Sequence, residues 1–137
     1  MIYHWSNKDK LENDNKYLTD LYERYLIYLS CILNKFHNKN KDTQYWRIII
    51  GPWLRFFIDI VFDRYETLKL KNTNLLQTNK FLKKNYTYLR SNDFDSFFKN
   101  CSTDEWNKNL IRLIQGLNPT EKTIEKKQIK NKKILSI

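Results

Sequence analysis

Between residues 9 and 37 large apolar side chains return every three or four positions: Leu18, Leu21, Tyr22, Tyr25, Leu26, Leu29, Ile32, Leu33 and Phe36. That period belongs to an amphipathic α-helix. Asp9 with Glu12 three residues on has the form of a capping box, which puts the helix start near Asp9. The polar NKNK at 38–41 is a connector, and Asp42 or Thr43 can cap a second helix running to about Leu70. The pattern then weakens. Residues 71–74 read as a loop, 75–84 as helical and 86–89 as a short strand. A short helix is expected over 93–100. Ser102-Thr103-Asp104-Glu105 is a capping box opening another helix, from about Thr103 to Gln115, with Gly116 as its stop. Asn118-Pro119 marks a boundary. The fold class is therefore mainly α: a bundle of two long helices plus shorter ones, with at most one short strand. The expected organisation is a helical domain over 1–118 and a lysine-rich tail over 119–137, a frayed helix or a disordered extension.

One stretch of the second helix, YWRIIIGPWLRFFIDIVFDRY at 45–65, has its own logic. A membrane span needs about 20 mostly apolar residues. Here Arg47, Arg55, Asp59, Asp63 and Arg64 interrupt the run, so no span is expected. Residues 47, 51, 55, 59 and 63 fall on one i, i+4 row of Arg, Gly, Arg, Asp and Asp, while nearly everything off the row is large and apolar. Such a helix is expected to be buried on most sides, with a polar stripe facing water, a partner element or a ligand cavity. Arg55 and Asp59 are spaced to pair along it. Pro52 removes a backbone donor and crowds the carbonyl four residues back, and Gly51 weakens the helix further. The helix is expected to kink or restart there, with Pro52 opening the second half. A restart exposes N–H groups that could receive an anion, although a kink that follows the core is the blander reading.

Composition changes the picture in one respect. The net charge of +10 invites a nucleic-acid reading. Yet the chain has 19 Lys against 6 Arg, 16 Asn, one Val and no Ala, the signature of an A/T-rich coding sequence. Arg, whose planar fork favours base readout, is the scarce cation, so nucleic-acid binding is not expected. Cys31 and Cys101 have no CxxC partner, and Cys31 falls on the apolar face of the first helix, where a reduced, buried thiol is expected. The first residues, MIYHWSNKDK, lack an apolar signal core. A cytoplasmic setting follows as the expectation.

Candidate chemistry is sparse. Asp93-Phe94-Asp95 matches the DxD by which metal-dependent glycosyltransferases hold a diphosphate, but Asp93 sits where a helix cap belongs. His4 and His37 are on different elements and lack metal or triad spacing, and His37 suits a helix C-terminus. His4, between Tyr3 and Trp5, reads first as part of a packed aromatic entry strand. There is no glycine-rich phosphate loop, GxSxG or HExxH. No metal site, no cofactor and no complete active site are expected.

YHWSNKDKL at 3–11, LNKFH at 33–37, YWRIIIGPWL at 45–54, FDRY at 62–65 and DEWNKNL at 104–110 occur in an order that resembles the N-terminal part of a family of bacterial transferases. That family is associated with surface carbohydrate biosynthesis, and its members look glycosyltransferase-like and are several times longer. YWR-x3-GPWL-x7-DRY is the specific part of the match, which spans about 3–114. The resemblance implies a preceding strand of an α/β domain and a following nucleotide-sugar-binding half. On that basis the chain is an N-terminal fragment, its partner the remainder of the transferase or another protein chain, and its substrates nucleotide-sugar or carbohydrate only in the complete enzyme. The DEWN position often continues with His in the family, where this chain has Lys108. No catalytic residue is carried over. The candidate substrate contacts are Arg47 and Arg55 as phosphate or carboxylate clamps, with His4, Trp5 and Trp106 as stacking or hydrogen-bonding partners. A stand-alone helical interaction module is the alternative.

Overall fold

A computed structural model of the chain describes residues 2–71 and 89–117. It contains a 3-10 turn at His4–Ser6 and four α-helices: α1 Lys8–His37, α2 Thr43–Leu70, α3 Phe94–Asn100 and α4 Asp104–Leu117. No strand occurs among the described residues. The expected helix over 75–84 lies outside them, as do the strand over 86–89, apart from Leu89, and the tail. The chain divides into two compact units, residues 1–72 and 73–137, and each is described by itself.

The first unit is a helical hairpin. Asn7 caps α1, its side chain accepting from the Lys10 N–H at 3.0 Å, so the helix begins two residues before the Asp9 box predicts. Asn-Lys-Asp at 7–9 supplies both an acceptor side chain and an acid in the first turn, which is enough to start a helix without Glu12. At the other end Asn38 adopts the left-handed conformation (φ 50°, ψ 49°), one that Asn tolerates better than most side chains, and closes the helix. Lys39 N–H then reaches the Asn34 carbonyl at 2.8 Å. The Asn34 side chain ties the connector down, donating to the Lys41 carbonyl at 2.7 Å and accepting from the Lys41 N–H and the Trp46 indole. Asp42 then caps α2 through the Tyr45 N–H at 2.8 Å, as its position predicts.

The helix does not restart at Gly51-Pro52: α2 runs unbroken from Thr43 to Leu70. Pro52 is exposed, and Ile48, whose carbonyl loses its helical donor, is 72% exposed. Water can serve that carbonyl, and packing of Leu54 and Ile58 against α1 holds the helix through the defect. Gly51 has a different purpose from a junction. A Cβ built there would stand 2.7 Å from the Tyr22 hydroxyl, so glycine is what lets α1 lie close to α2.

Leu18, Leu26, Leu54 and Ile58 form the buried centre of the hairpin, with Trp5, Leu21, Tyr22, Leu29, Ile50, Trp53 and Phe62 packed around it. Burial is one-sided. Tyr45, Ile48, Ile49 and Phe56 of α2 are exposed, contrary to the expectation of a helix covered on most sides. The apolar stretch therefore covers more of α2 than the face that packs on α1. Cys31 is also exposed, because α2 covers only the α1 face marked by Leu18, Leu26 and Ser30.

In the second unit Asp93 caps α3 and forms a reciprocal box with Ser96, so its carboxylate serves the backbone. Thr103 accepts from the Trp106 N–H at 3.4 Å, while Ser102 donates back to the Lys99 carbonyl, which shifts the α4 cap one residue along from the predicted box. Gly116 lies inside α4 and does not end it. Phe97, Trp106, Leu110 and Ile114 are buried there.

Candidate functional site

The polar row of α2 faces a partner element. Arg47 sends both terminal nitrogens to the Glu23 carboxylate at 2.6 and 2.7 Å and lies over the Tyr22 ring. This fork holds the Glu23 carboxyl below its ordinary range and raises the already high Arg47 pKa. Arg55 binds Asp59 along its own helix at 3.1 Å and crosses to Thr19 at 3.0 Å and Asn15 at 2.8 Å on α1. Both proposed clamps thus tie the two helices together; seen alone, each is supplied with internal acceptors. The last member of the row, Asp63, meets the N-terminal turn.

That meeting point is the most unusual site in the described residues. The chain enters as Tyr3-His4-Trp5, a single 3-10 turn in place of the expected strand, and folds back onto the start of α1 and the end of α2. The His4 side chain is 1% exposed. Its Nε2 lies 2.8 Å from Asp63 Oδ1, the oxygen that also accepts the Tyr3 hydroxyl at 2.6 Å, while Arg64 pairs with Oδ2. Burial pushes the Asp63 carboxyl up, but the Tyr3 and His4 hydrogen bonds and the Arg64 charge outweigh it and leave it below the usual range. Burial first, then the hydrogen bond and charge of Asp63, pushes the Tyr3 phenol up to about 12.

Trp5 completes the contact. It stacks on Phe62 with centroids 6.1 Å apart at 18°, and its indole N–H donates to Asp14 Oδ2 at 3.0 Å. Lys10 bridges Asp14 to Glu66 and sits 5.7 Å from the Phe62 centroid. Among the buried side-chain polar atoms of this group, one lacks a partner. His4 Nδ1 is buried with no hydrogen-bond partner.

Of the residues singled out from sequence, His4 and Trp5 come together here, 4.5 Å between ring centroids. Arg47 and Arg55 sit further along the hairpin. Trp106 belongs to the second unit, is 2% exposed and packs edge to face on Phe97 at 5.9 Å, so its ring is core; its buried indole N–H has no partner among the described residues. Tyr3, Asp14, Phe62 and Glu66 escaped the sequence reading. Their signal was faint: FDRY carries Phe62 and Asp63, but nothing in sequence links them to residues about sixty positions earlier. Among the described residues no group of three or more His, Cys, Asp or Glu is placed to hold a metal ion, and no helix is long and apolar enough to cross a membrane.

The fold and this site define a helical hairpin with a clasped aromatic turn at its N-terminal end. The chain belongs to the LIC12162 family transferases, whose family model it matches over residues 1–136. No curated protein and no solved structure matches it.

Proposed function

We propose that this chain is the N-terminal helical part of a glycosyltransferase-like enzyme of bacterial surface carbohydrate biosynthesis, acting in the cytoplasm and completed by a nucleotide-sugar-binding region. The observation that carries the reading is the transferase-family match across residues 1–136. Within it, the Tyr3-His4-Trp5 end of the hairpin is the part that contributes to a substrate cleft. It combines aromatic faces with an oriented imidazole, the two kinds of contact a sugar hydroxyl and ring require. Arg47 and Arg55 keep the hairpin aligned beneath it and reach substrate only by releasing Glu23, Asp59 and their α1 partners.

Expression of the chain joined to the coding region downstream, assayed for transfer from nucleotide-linked sugars, tests the proposal. Sugar transfer by the joined enzyme, and no transfer once residues 1–72 are removed, is the expected result. Transfer that persists at an unchanged rate without those residues would remove the cleft role. A second reading, a stand-alone interaction module, draws on the exposed Tyr28, Ile48 and Phe36, which are 61%, 72% and 81% exposed. It requires the 137-residue chain to capture a partner chain while the downstream region transfers sugar by itself.

A further inference from the structure

The His4 ring carries more hydrogen-bonding capacity than its structural task uses. Fastening the turn to α2 needs one donor on Asp63, and Tyr3 already supplies one to the same oxygen. The ionised carboxylate fixes the His4 tautomer with the proton on Nε2, since a carboxylate only accepts. Nδ1 is then left with its lone pair, in a side chain 1% exposed and without a donor. An unmet buried acceptor of this kind is destabilising, because nothing replaces the water it gives up. The surroundings describe what could meet it. Tyr3 and Trp5 close over the ring at 4.7 and 4.5 Å between centroids, and Tyr3 is itself 51% exposed and held by its hydroxyl. Reaching Nδ1 requires that tyrosine to swing aside and admit a hydroxyl-bearing ligand whose apolar face can lie on aromatic rings.

We infer that His4 Nδ1 is the proton acceptor for the hydroxyl of the sugar that receives the transferred group, with Asp63 as the positioning residue behind it. This rests on the transferase reading above. In the step, the acceptor hydroxyl gives its proton to Nδ1 as its oxygen bonds to the anomeric carbon of a phosphate-linked donor sugar. The bond from that carbon to the leaving phosphate oxygen breaks, and the electron pair departs with the phosphate. The resulting imidazolium keeps its Nε2–H on Asp63, whose negative charge stabilises it.

Two variants separate proton acceptance from docking. Gln at position 4 can place an amide N–H where Nε2 stands and so keep the bond to Asp63, but has no equivalent of Nδ1. His4→Gln is therefore expected to hold the melting temperature of the chain near that of the parent while lowering kcat of the joined enzyme 100-fold or more, with KM little changed. His4→Gly, with imidazole added, is expected to recover part of that loss. Nitrogen-resolved spectra of the ring in the 137-residue chain should show the proton on Nε2. A proton on Nδ1 of the neutral ring overturns the inference, and so does a His4→Gln enzyme within twofold of parental kcat. If the spectra are as expected and the parental joined enzyme transfers no sugar, the transferase reading fails and this step fails with it.

Discussion

Asp63 accepts three donors, from Tyr3, His4 and Arg64, while nine-tenths of its residue surface is withdrawn from water at 8% exposure. A buried carboxylate stays ionised only when such partners replace its hydration. The same contact makes Tyr3 the residue that reports on the clasp. Because the folded phenol is pushed up to about 12 from the ordinary 10.0, the neutral form is the one the fold prefers. Its stabilisation is complete below pH 10 and lost as pH rises through 12. The Asp63 contribution runs the other way, present above the ordinary carboxylate range and lost as pH falls through the lowered folded value. Carbon-resolved titration of the Tyr3 ring should give a midpoint near 12. In Asp63→Asn the midpoint should fall toward the ordinary tyrosine value of 10.0. A Tyr3 midpoint already at that ordinary value in the parent chain would mean that the clasp is open in solution.

At the scale of the elements, close approach governs α1 and α2. Gly51 admits Tyr22, Arg47 grips Glu23, and Arg55 reaches Asn15 and Thr19, so the polar row of one helix is read by the polar edge of the other. Two effects compete when Gly51 becomes Ala. Helix propensity favours Ala by about 1 kcal/mol, whereas the new methyl meets the Tyr22 hydroxyl at 2.7 Å. Tyr22 is packed against the core and cannot swing freely, so we expect Gly51→Ala to be neutral or destabilising in the parent. In a Tyr22→Phe background the obstructing oxygen is gone, and the same change should stabilise by about 0.5–1 kcal/mol in urea unfolding. Equal effects in the two backgrounds would show that the helices lie further apart. The periodicity of α1, the Asp42 cap and the Arg55–Asp59 pair were all legible in sequence because each is set by neighbours within four residues. The unbroken passage through Pro52 was not, since it depends on α1 packing and on an exposed outer face.

For the whole molecule, the exposed apolar residues matter most. Tyr25, Tyr28, Ile32 and Phe36 on α1 recur at helical spacing yet are 42–81% exposed, because a two-helix unit can cover only one face of each helix. Substituting Lys for Tyr28 and Ile48 together should change stability by no more than about 0.5 kcal/mol per site and reduce binding of an apolar fluorescent dye. A loss above about 2 kcal/mol, the range of core truncation, would show that something buries these side chains in solution. Sequence by itself determined the mainly α character, the connector at 38–41, the caps at Asp42 and Asp93, and the absence of a charge-free span in α2, since periodicity, capping and charge act locally. The family pattern carried the transferase membership. Only tertiary structure decided that the polar row faces α1, that Cys31 is exposed, and that Tyr3, His4 and Trp5 close on Asp63, Asp14 and Phe62. The turn and its acceptor are separated by 59 or 60 residues, and hydrophobic spacing records which side of a helix is apolar without recording what, if anything, comes to cover it.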